Sequence, residues 1–340
     1  MRMNRFSCFL VPLLAAALLV PGCGGTATRE NSPAAQEQKL TKLSVRLDWT
    51  PNALHAPIYA ALEKGFYKAE GLDVTVNPAT DKDDVLKLID TNVDTVGLYY
   101  GSSVMKAQAK GYDVRSIGAY VQHPLNVILV DQRAGVGSLK DLEGKAVGFT
   151  SDPQPKGALS TTAASLKMMV EKAGGDFSKV QLVGVGDAGV QALATQKVAA
   201  LGGVYEYHEK FLLEKEGIKT DVYRLNEHGA PDFYELVFVA SEQNATENAE
   251  ALSRFIKATE QGVKFTREKP DEAVAALLKS APTLKQDQVK GAVTVVAPLF
   301  QDSGKAFGVQ DRARWEAAAR WMVDNKLITA APDFDKLLTR

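Results

Sequence analysis

The segment that most constrains the fold runs from residue 43 to residue 76 and holds two strands, a loop and a helix. Residues 43–47 alternate apolar and polar side chains, which is the period of a half-buried strand. Turn-forming residues at 48–52 interrupt this strand, and a helical pattern then runs up to Gly65. A second alternating strand covers 72–76. This order predicts an α/β sheet whose first loop lies at the carboxyl end of a strand, where open sheets bind ligands.

The same alternation of strands and helices continues along the chain. Further strands are predicted at residues 92–100, 114–121, 127–130, 142–149, 180–185, 198–204 and 235–240. Further helices are predicted at residues 102–110, 161–171, 189–196, 247–267, 270–278, 285–298 and 312–325. Alternation of this kind favours an α/β fold with mainly parallel sheets and right-handed crossovers.

The length predicts two lobes, because 340 residues exceed what one hydrophobic core usually supports. We expect the chain to leave the first lobe near 131–137 and to return near 235–240. Lobe 1 would then consist of residues 42–133 and 236–340, and lobe 2 of residues 134–235. A ligand cleft is expected between them.

The first 23 residues have the pattern of a signal peptide rather than of a folded element. Arg2 and Arg5 precede an apolar run at 6–20 that is too short to span a membrane comfortably. We therefore expect this segment to direct export of the chain from the cytoplasm and to be cleaved from the mature protein.

Residues 20–23 (VPGC) resemble a lipobox, the motif in which a lipidated cysteine becomes the mature N-terminus. The resemblance implies a lipoprotein signal peptide at 1–23 and lipidation, palmitate included, at Cys23. Several acyl chains give stable anchoring, here on the extracytoplasmic face of the cell membrane. A plain signal peptide cut nearby is the alternative. Residues 24–41 are polar and aperiodic, and we interpret them as a flexible tether.

Composition and charge exclude several classes of function. A net charge of −1 gives no electrostatic reason to expect a nucleic-acid partner. With four His and two Cys, a structural zinc site is disfavoured, and we expect no metal. Since the two cysteines are Cys8 and Cys23, the exported body contains no disulfide.

One motif, residues 184–189 (GVGDAG), satisfies the dinucleotide pattern G-x-G-x-x-G after a strand. An exported chain meets little NAD, and no domain begins with this strand. We therefore interpret the segment as a tight turn in which Asp187 caps the next helix. No cofactor and no catalytic residue are expected, because no nucleophile–base arrangement is visible either.

Two segments, 47–55 (LDWTPNALH) and 64–72 (KGFYKAEGL), resemble the opening of the pyrimidine-precursor substrate-binding proteins of bacterial ABC importers. The resemblance extends over residues 42–330. It implies the two-lobed periplasmic-binding-protein type II fold and a ligand held in the cleft between the lobes.

The resemblance also implies a set of ligand-contacting residues in the first lobe. These are Asp48, Trp49, Asn52 and His55 in the first loop, with Tyr100 as an aromatic residue at the end of a later strand. Aromatic faces suit a planar ring, and a stacked pair adds roughly 0.5–1.5 kcal/mol beyond area burial.

In the second lobe the expected contacts are Gly148, Thr150, Ser151 and Asp152, although this loop is richer in proline than in the known relatives. Residues 202–209 (GGVYEYHE) match a family segment that carries ligand contacts.

By that match Tyr205 and Glu209 face the ligand, and Glu206 is the alternative because the spacing is ambiguous by one residue. A carboxylate suits an aminopyrimidine because it accepts from the exocyclic amine.

The function implied is capture of an aminopyrimidine precursor of thiamine, of formylaminopyrimidine or hydroxymethylpyrimidine type, for an ABC permease and ATPase. The binding protein is expected to be a monomer. Riboflavin or another flat heteroaromatic is the alternative ligand, and a small anion is disfavoured for want of an arginine cluster.

A third alternative is a pyrimidine-synthase-like enzyme, because residues 55–57 (HAP) align with the segment that carries that enzyme's reactive histidine. That branch bears a run of cysteines, which the exported body lacks. We therefore expect a binding protein rather than an enzyme.

Overall fold

Two five-stranded sheets form the centre of the protein in the computed structural model, which describes residues 39–80 and 82–339. In chain order the strands are β1 (Thr41–Arg46), β2 (Leu72–Asn77), β3 (Val96–Tyr100), β4 (Val114–Val121), β5 (Asn126–Asp131), β6 (Ala146–Phe149), β7 (Gln181–Gly184), β8 (Ala200–Tyr205), β9 (Thr220–Arg224) and β10 (Leu236–Ser241). The first sheet has the order β2-β1-β3-β10-β4, and the second has the order β7-β6-β8-β5-β9.

The helices surround these sheets. They are α1 (Ala56–Glu63), α2 (Phe66–Ala69), α3 (Val85–Asp90), α4 (Gly101–Ala109), α5 (Thr161–Lys172), α6 (Gly189–Ala194), α7 (Phe211–Lys215), α8 (Glu242–Glu247), α9 (Ala249–Glu268), α10 (Pro270–Ser280), α11 (Gln286–Val296), α12 (Arg312–Asp324) and α13 (Phe334–Leu337). The predicted helices agree with these bounds to within two residues at each end. Local signals explain the agreement: Pro270 occupies the first turn of α10, and Asp311 caps α12.

The C-terminal helices return to the first sheet and share its core. Phe255 of α9 is completely buried, and its ring stacks on Tyr67 at 5.4 Å between centroids. The ring of Phe238 in β10 packs edge-on against the ring of Phe255, with 5.1 Å between centroids. Removing a buried phenylalanine side chain costs about 3–5 kcal/mol, so this contact is a main link between the two ends of the chain.

Each sheet is mixed, where the sequence predicts mainly parallel pairing. In the first sheet β1 runs parallel to β2 and β3, but β10 is antiparallel to β3 and β4. In the second sheet β6 runs parallel to β7 and β8, whereas β5 is antiparallel to β8 and β9. The strands that cause the antiparallel pairing are β5 and β10. The chain enters the second sheet with β5 and returns to the first sheet with β10.

The first crossing between the sheets lies at 122–125, so the position 131–137 predicted from the sequence is wrong. β5 follows this crossing and pairs with β8 and β9 of the second sheet. Its apolar sequence suits either sheet, which is why the pattern alone misplaces it. The return crossing, at 225–235, precedes β10, whereas the sequence predicts it near 235–240. The short edge strand β9 was not predicted.

The predicted signal peptide, Cys23 and the tether up to residue 38 lie outside the described residues. Within the described ranges, none of the helices combines the length and the apolar sequence that crossing a bilayer requires.

Candidate functional site

The first loop, residues 48–52, begins directly after β1 and turns sharply before α1. Asn52 starts a short 3-10 helix at Ala53–His55, and its side chain accepts a hydrogen bond from the backbone N–H of Leu54 at 2.9 Å. Asparagine is favoured at such a position because its side-chain oxygen satisfies an unpaired helix donor. The loop therefore has a defined path on leaving the sheet.

The buried side chain of His55 fixes the conformation of this loop. The side chain is completely buried, its Nδ1 accepts from the backbone N–H of Asn52 at 3.0 Å, and its Nε2 lies 2.8 Å from Oδ1 of Asp48. Because Nδ1 accepts, the ring proton resides on Nε2 and is donated to Asp48. His55 thus braces the loop and does not line the cavity, although the family resemblance implied a ligand contact.

Asp48 is almost completely buried at the floor of the site. One oxygen is held by His55, and the hydroxyl of Tyr100 donates to the other at 3.4 Å. This second bond is long, so the carboxylate retains acceptor capacity. A buried carboxylate without a cationic partner favours a ligand that donates hydrogen bonds.

Trp49 projects from the same loop with 47% of its surface exposed, the highest exposure of any tryptophan of the described residues. Trp315 and Trp321 are buried in the core around α12. An exposed tryptophan on a braced loop is suited to bind a flat apolar surface.

A cavity of about 380 Å³ opens in front of Asp48 and Trp49. Three parts of the chain supply its walls: the first loop with Tyr100, the segment after β8, and the beginning of α11. Its lining residues are Asp48, Trp49, Thr50, Pro51, Asn52, Ala53, Leu54, Tyr100, Tyr205, Tyr207, His208, Glu209, Leu284, Lys285, Gln288, Val289 and Ala292. This volume lies in the range of sites for small organic ligands.

Three tyrosines line the cavity, Tyr100 beside the first loop and Tyr205 and Tyr207 in the segment at the end of β8. The rings of Tyr205 and Tyr207 lie 5.3 Å apart and are tilted by 33°, and Tyr100 stands at the end of β3. Burial raises the pKa of all three hydroxyls, and the negative charges of Glu235 and Asp48 raise the pKa of Tyr100 and Tyr207 further. These hydroxyls are therefore neutral near pH 7, and each can donate a hydrogen bond.

Glu209 lines the cavity but is already engaged. Its Oε2 accepts from the backbone N–H of Tyr205 at 2.7 Å, and its Oε1 lies 2.8 Å from Nδ1 of His208. The hydrogen bond to Glu209 raises the pKa of His208. Glu209 thus closes the first turn of a short π-helix at Glu206–Lys210, with two acceptor positions left over.

Glu206 points elsewhere and pairs with Arg224 at 2.6 Å. It is not among the cavity-lining residues, so of the two acids whose alignment was ambiguous the structure places Glu209 at the cavity.

The four residues expected from the second-lobe loop do not reach this cavity. Gly148 lies inside β6, where an added Cβ would come within 3.0 Å of Leu201. The hydroxyl of Thr150 donates to the carbonyl of Gly203 at 2.9 Å. Ser151 and Asp152 are exposed, and the Asp152 carboxylate accepts from the backbone N–H of Gln154. The loop folds upon itself instead of facing the ligand space.

Two contributors were missed by the sequence analysis. The face of α11 that carries Gln288 and Val289 was predicted to be helical, but no motif assigns it to a site. Glu235, which ends the return crossing, was given no ligand role. Its burial beside polar residues of both lobes depends on tertiary contacts that a local pattern does not contain.

Glu235 is 3% exposed and bonds to three groups. Its carboxylate accepts from the backbone N–H of Leu125 at 3.0 Å, from Nδ2 of Asn126 at 3.2 Å and from the hydroxyl of Tyr205 at 3.4 Å. Burial raises the pKa of Glu235 from 4.5 to about 7, against the lowering effect of these bonds. Glu235 therefore links both crossings to the aromatic wall.

Two mixed sheets joined by two crossings, with a cavity between them, define a two-lobed fold of the periplasmic-binding-protein class. A solved structure of this class, the periplasmic aliphatic sulphonate binding protein of Escherichia coli, aligns with a TM-score of 0.66 at 14% identity, covering 88% of this chain and 93% of that one. At this level of identity the likeness concerns the fold alone. The predicted fold class is confirmed.

The chain belongs to the NMT1/THI5 like family, whose sequence model matches residues 52–273. The formylaminopyrimidine-binding protein of Halalkalibacterium halodurans is 30% identical over 317 residues, which cover 92% of both chains. The 4-amino-5-hydroxymethyl-2-methylpyrimidine phosphate synthase of Legionella pneumophila is 26% identical over 302 residues, 88% of this chain and 91% of that protein. The family resemblance is therefore confirmed, and the relatives include both a binding protein and a synthase.

Proposed function

We propose that this chain is the substrate-binding protein of an ABC importer and captures an aminopyrimidine precursor of thiamine. The observation that carries the proposal is an exposed Trp49 that lines the same cavity as three tyrosines and the buried Asp48. A planar ring fits between the aromatic residues, and an exocyclic amine is a suitable donor to a buried carboxylate. The formylaminopyrimidine-binding relative, aligned over 92% of both chains, supports the same ligand class.

Riboflavin or another flat heteroaromatic is the alternative, since the aromatic walls alone would accept it. A small anion is disfavoured, because the lining combines Asp48 and Glu209 with one exposed cation, Lys285, and contains no arginine among the described residues.

A synthase function is disfavoured by the position of His55. The residue that aligns with the reactive histidine has no exposed surface, and both of its ring nitrogens are engaged within the loop. A reactive histidine would need access to its substrate. We therefore propose that this chain binds and releases its ligand unchanged. Purified protein without absorbance from a covalently bound cofactor would agree with this view, and such absorbance would contradict it.

We further propose that Cys23 carries the lipid anchor and that the protein works as a monomer on the extracytoplasmic face of the membrane, beside the permease and ATPase. Cys23→Ser should release the protein from the membrane fraction while leaving ligand affinity unaltered. Membrane association unchanged in this variant would contradict the anchor. Lobe 2 is proposed to lie between the crossings at 122–125 and 225–235, so that ligand binding closes the cleft about them.

The two crossings are in contact, since Nδ1 of His123 lies 2.8 Å from Oδ1 of Asp232. Because closure of the cleft brings the two lobes together, small-angle scattering should show a more compact protein with ligand than without it. Identical profiles at saturation would indicate a rigid pocket.

The decisive experiment is a thermal-shift screen of thiamine, its pyrimidine fragments and riboflavin, followed by isothermal titration of the strongest hit. A ligand present at 100 times its Kd stabilises the folded state by about 2.7 kcal/mol. Stabilisation by aminopyrimidines supports the proposal. Stabilisation by riboflavin alone would replace the aminopyrimidine with the alternative ligand.

A further inference from the structure

A second, smaller cavity has Tyr100 in common with the larger one. Its volume is about 70 Å³, and residues of both lobes enclose it. Its lining residues are Tyr100, Ser102, Asn126, Thr161, Thr162, Ser165, Leu225, Phe233 and Glu235. A water molecule occupies about 30 Å³ of liquid, so there is room for about two waters or for a substituent of similar size.

Hydrogen-bonding groups dominate this small cavity. Thr161 accepts from Lys106 at 2.8 Å, and the Ser165 hydroxyl donates to the backbone carbonyl of Thr161 at 3.0 Å. The hydroxyls of Ser102 and Thr162 have no hydrogen-bond partner within the described ranges. These two groups are therefore available to a guest.

The Glu235 carboxylate is the only acid in the lining and has no cationic partner among the described residues. An ionised carboxylate offers about four acceptor positions, and Leu125, Asn126 and Tyr205 occupy three of them. A fourth remains for a hydrogen-bond donor. An anionic guest would be repelled in this buried setting.

The two cavities meet at the hydroxyl ends of Tyr100 and Tyr205. Tyr100 belongs to the lining of both, and Tyr205 lines the larger one while its hydroxyl contacts Glu235. The hydrogen bonds from these hydroxyls to Asp48 and Glu235 are both 3.4 Å long. Bonds of this length are weak. A hydrogen bond also joins the two hydroxyls to each other, so a substituent that separates them has to replace this bond with its own polar groups.

We propose that the cavity lined by Ser102, Thr162 and Glu235 is a subsite that receives a small, uncharged, hydrogen-bond-donating substituent of the bound ligand. The ring of the ligand remains in the larger cavity, and the substituent passes between Tyr100 and Tyr205. Specificity then depends on the donor group as well as on the ring. This inference rests on the proposed binding of an aminopyrimidine.

The test compares two ligands with the same ring, 4-amino-5-hydroxymethyl-2-methylpyrimidine and its 5-methyl analogue, by isothermal titration at pH 8, above the pKa of about 7 of Glu235. Wild-type protein should bind the hydroxymethyl compound roughly tenfold or more tightly, because a buried bond to a charged group is being compared with none. In Thr162→Val and in Glu235→Gln this ratio should fall toward one. Glu171→Gln, an exposed position at the end of α5, is the matched control and should retain the wild-type ratio.

Thr162→Val conserves side-chain shape and removes one unpaired hydroxyl, so it tests the subsite even if Glu235→Gln folds poorly. A wild-type ratio near one, with both ligands bound, overturns the subsite and leaves ring binding intact; the cavity would then hold water only. A high ratio that survives Thr162→Val and Glu235→Gln also overturns it. If neither ligand binds wild-type protein, the aminopyrimidine function and the subsite fail together.

Discussion

The first loops of the two sheets occupy equivalent positions and yet behave differently. β1 is the second strand of its sheet, between two parallel neighbours, and β6 has the same place in the other sheet. The loop after β1 is braced by His55 and presents Trp49 to the cavity. The loop after β6 turns back upon itself through a hydrogen bond from the backbone N–H of Ser160 to the carbonyl of Pro153 at 2.8 Å.

The difference teaches that topology provides the place for a ligand loop, whereas buried side chains decide where the loop points. Asp48 and His55 form a pair inside the protein, which fixes the path of the first loop. The second loop has one half-buried anchor, Thr150, and its acid Asp152 is spent on a local turn. The remaining walls of the cavity are therefore supplied by the segment after β8 and by the beginning of α11.

The largest effect is expected from removing the brace of the first loop. His55→Ala leaves a cavity and strands both the Asp48 carboxylate and the backbone N–H of Asn52, which should destabilise the protein by about 3–4 kcal/mol. Thr150→Val, the matching change in the second loop, removes one bond and should cost about 1 kcal/mol. Urea unfolding of both variants measures the difference, and equal losses would contradict the contrast between the loops.

The second prediction concerns Glu235, the buried acid of the smaller cavity. The pKa of Glu235 is raised from 4.5 in the unfolded chain to about 7 in the folded one, so folding retains a proton that the unfolded chain loses. The contribution of Glu235 to the free energy of unfolding should accordingly fall as the pH rises from about 4.5 to about 7, and it should stay constant above that. Glu235→Gln removes this dependence.

Between pH 5 and pH 8 the wild-type protein should lose about 2–3 kcal/mol more than Glu235→Gln, as measured by urea unfolding at both values. Hydrogen bonds to Asp232 and to Glu209 raise the pKa of His123 and of His208, respectively. Both histidines are present in both proteins, so their contributions cancel in the comparison. Parallel pH profiles for the two proteins would show that Glu235 is not the group responsible.

Trp49→Ala should weaken ligand binding roughly 10- to 100-fold, through the loss of stacking and of buried apolar area. Asp152→Ala, in the second loop, should leave affinity within about twofold because its carboxylate serves only a local turn. Isothermal titration with the strongest screening hit measures both. A large loss in Asp152→Ala would mean that the second loop moves to the ligand when the cleft closes.

How far the sequence predicts this molecule depends on whether the signal is local. The helix α9 has apolar residues on one face over twenty residues, and its bounds follow from that periodicity. The first loop was found because Asp48, Trp49 and Asn52 lie close together in a recognisable segment. The strand β9 escaped because five residues at a sheet edge carry little periodicity.

The missed parts of the site share one cause: they depend on contacts between residues far apart in the chain. Gln288 lines the cavity because α11 packs beside the first loop. Glu235 is buried because Leu125 and Asn126, which lie far from it in the chain, donate hydrogen bonds to its carboxylate. The second-lobe loop was wrongly expected at the cavity for the complementary reason. The loop does follow a strand, as the sequence predicts. Its direction, however, depends on the hydrogen bonds within its own turns and not on its place in the sheet.

The smallest effect, and the sharpest test of the wall opposite the first loop, is expected from the paired changes Glu209→Gln and Glu206→Gln. Glu209 faces the cavity with two acceptor positions unoccupied, whereas Glu206 is held outside it by Arg224. Loss of a charged acceptor should weaken aminopyrimidine binding roughly tenfold in Glu209→Gln, toward the lower end for a charged bond because glutamine still accepts from Tyr205. Glu206→Gln should bind like wild type. Titrations that reverse this order would place Glu206 in the cleft of the liganded protein. If neither acid variant changes the affinity while Trp49→Ala does, a flat ligand without an exocyclic amine takes the place of the aminopyrimidine.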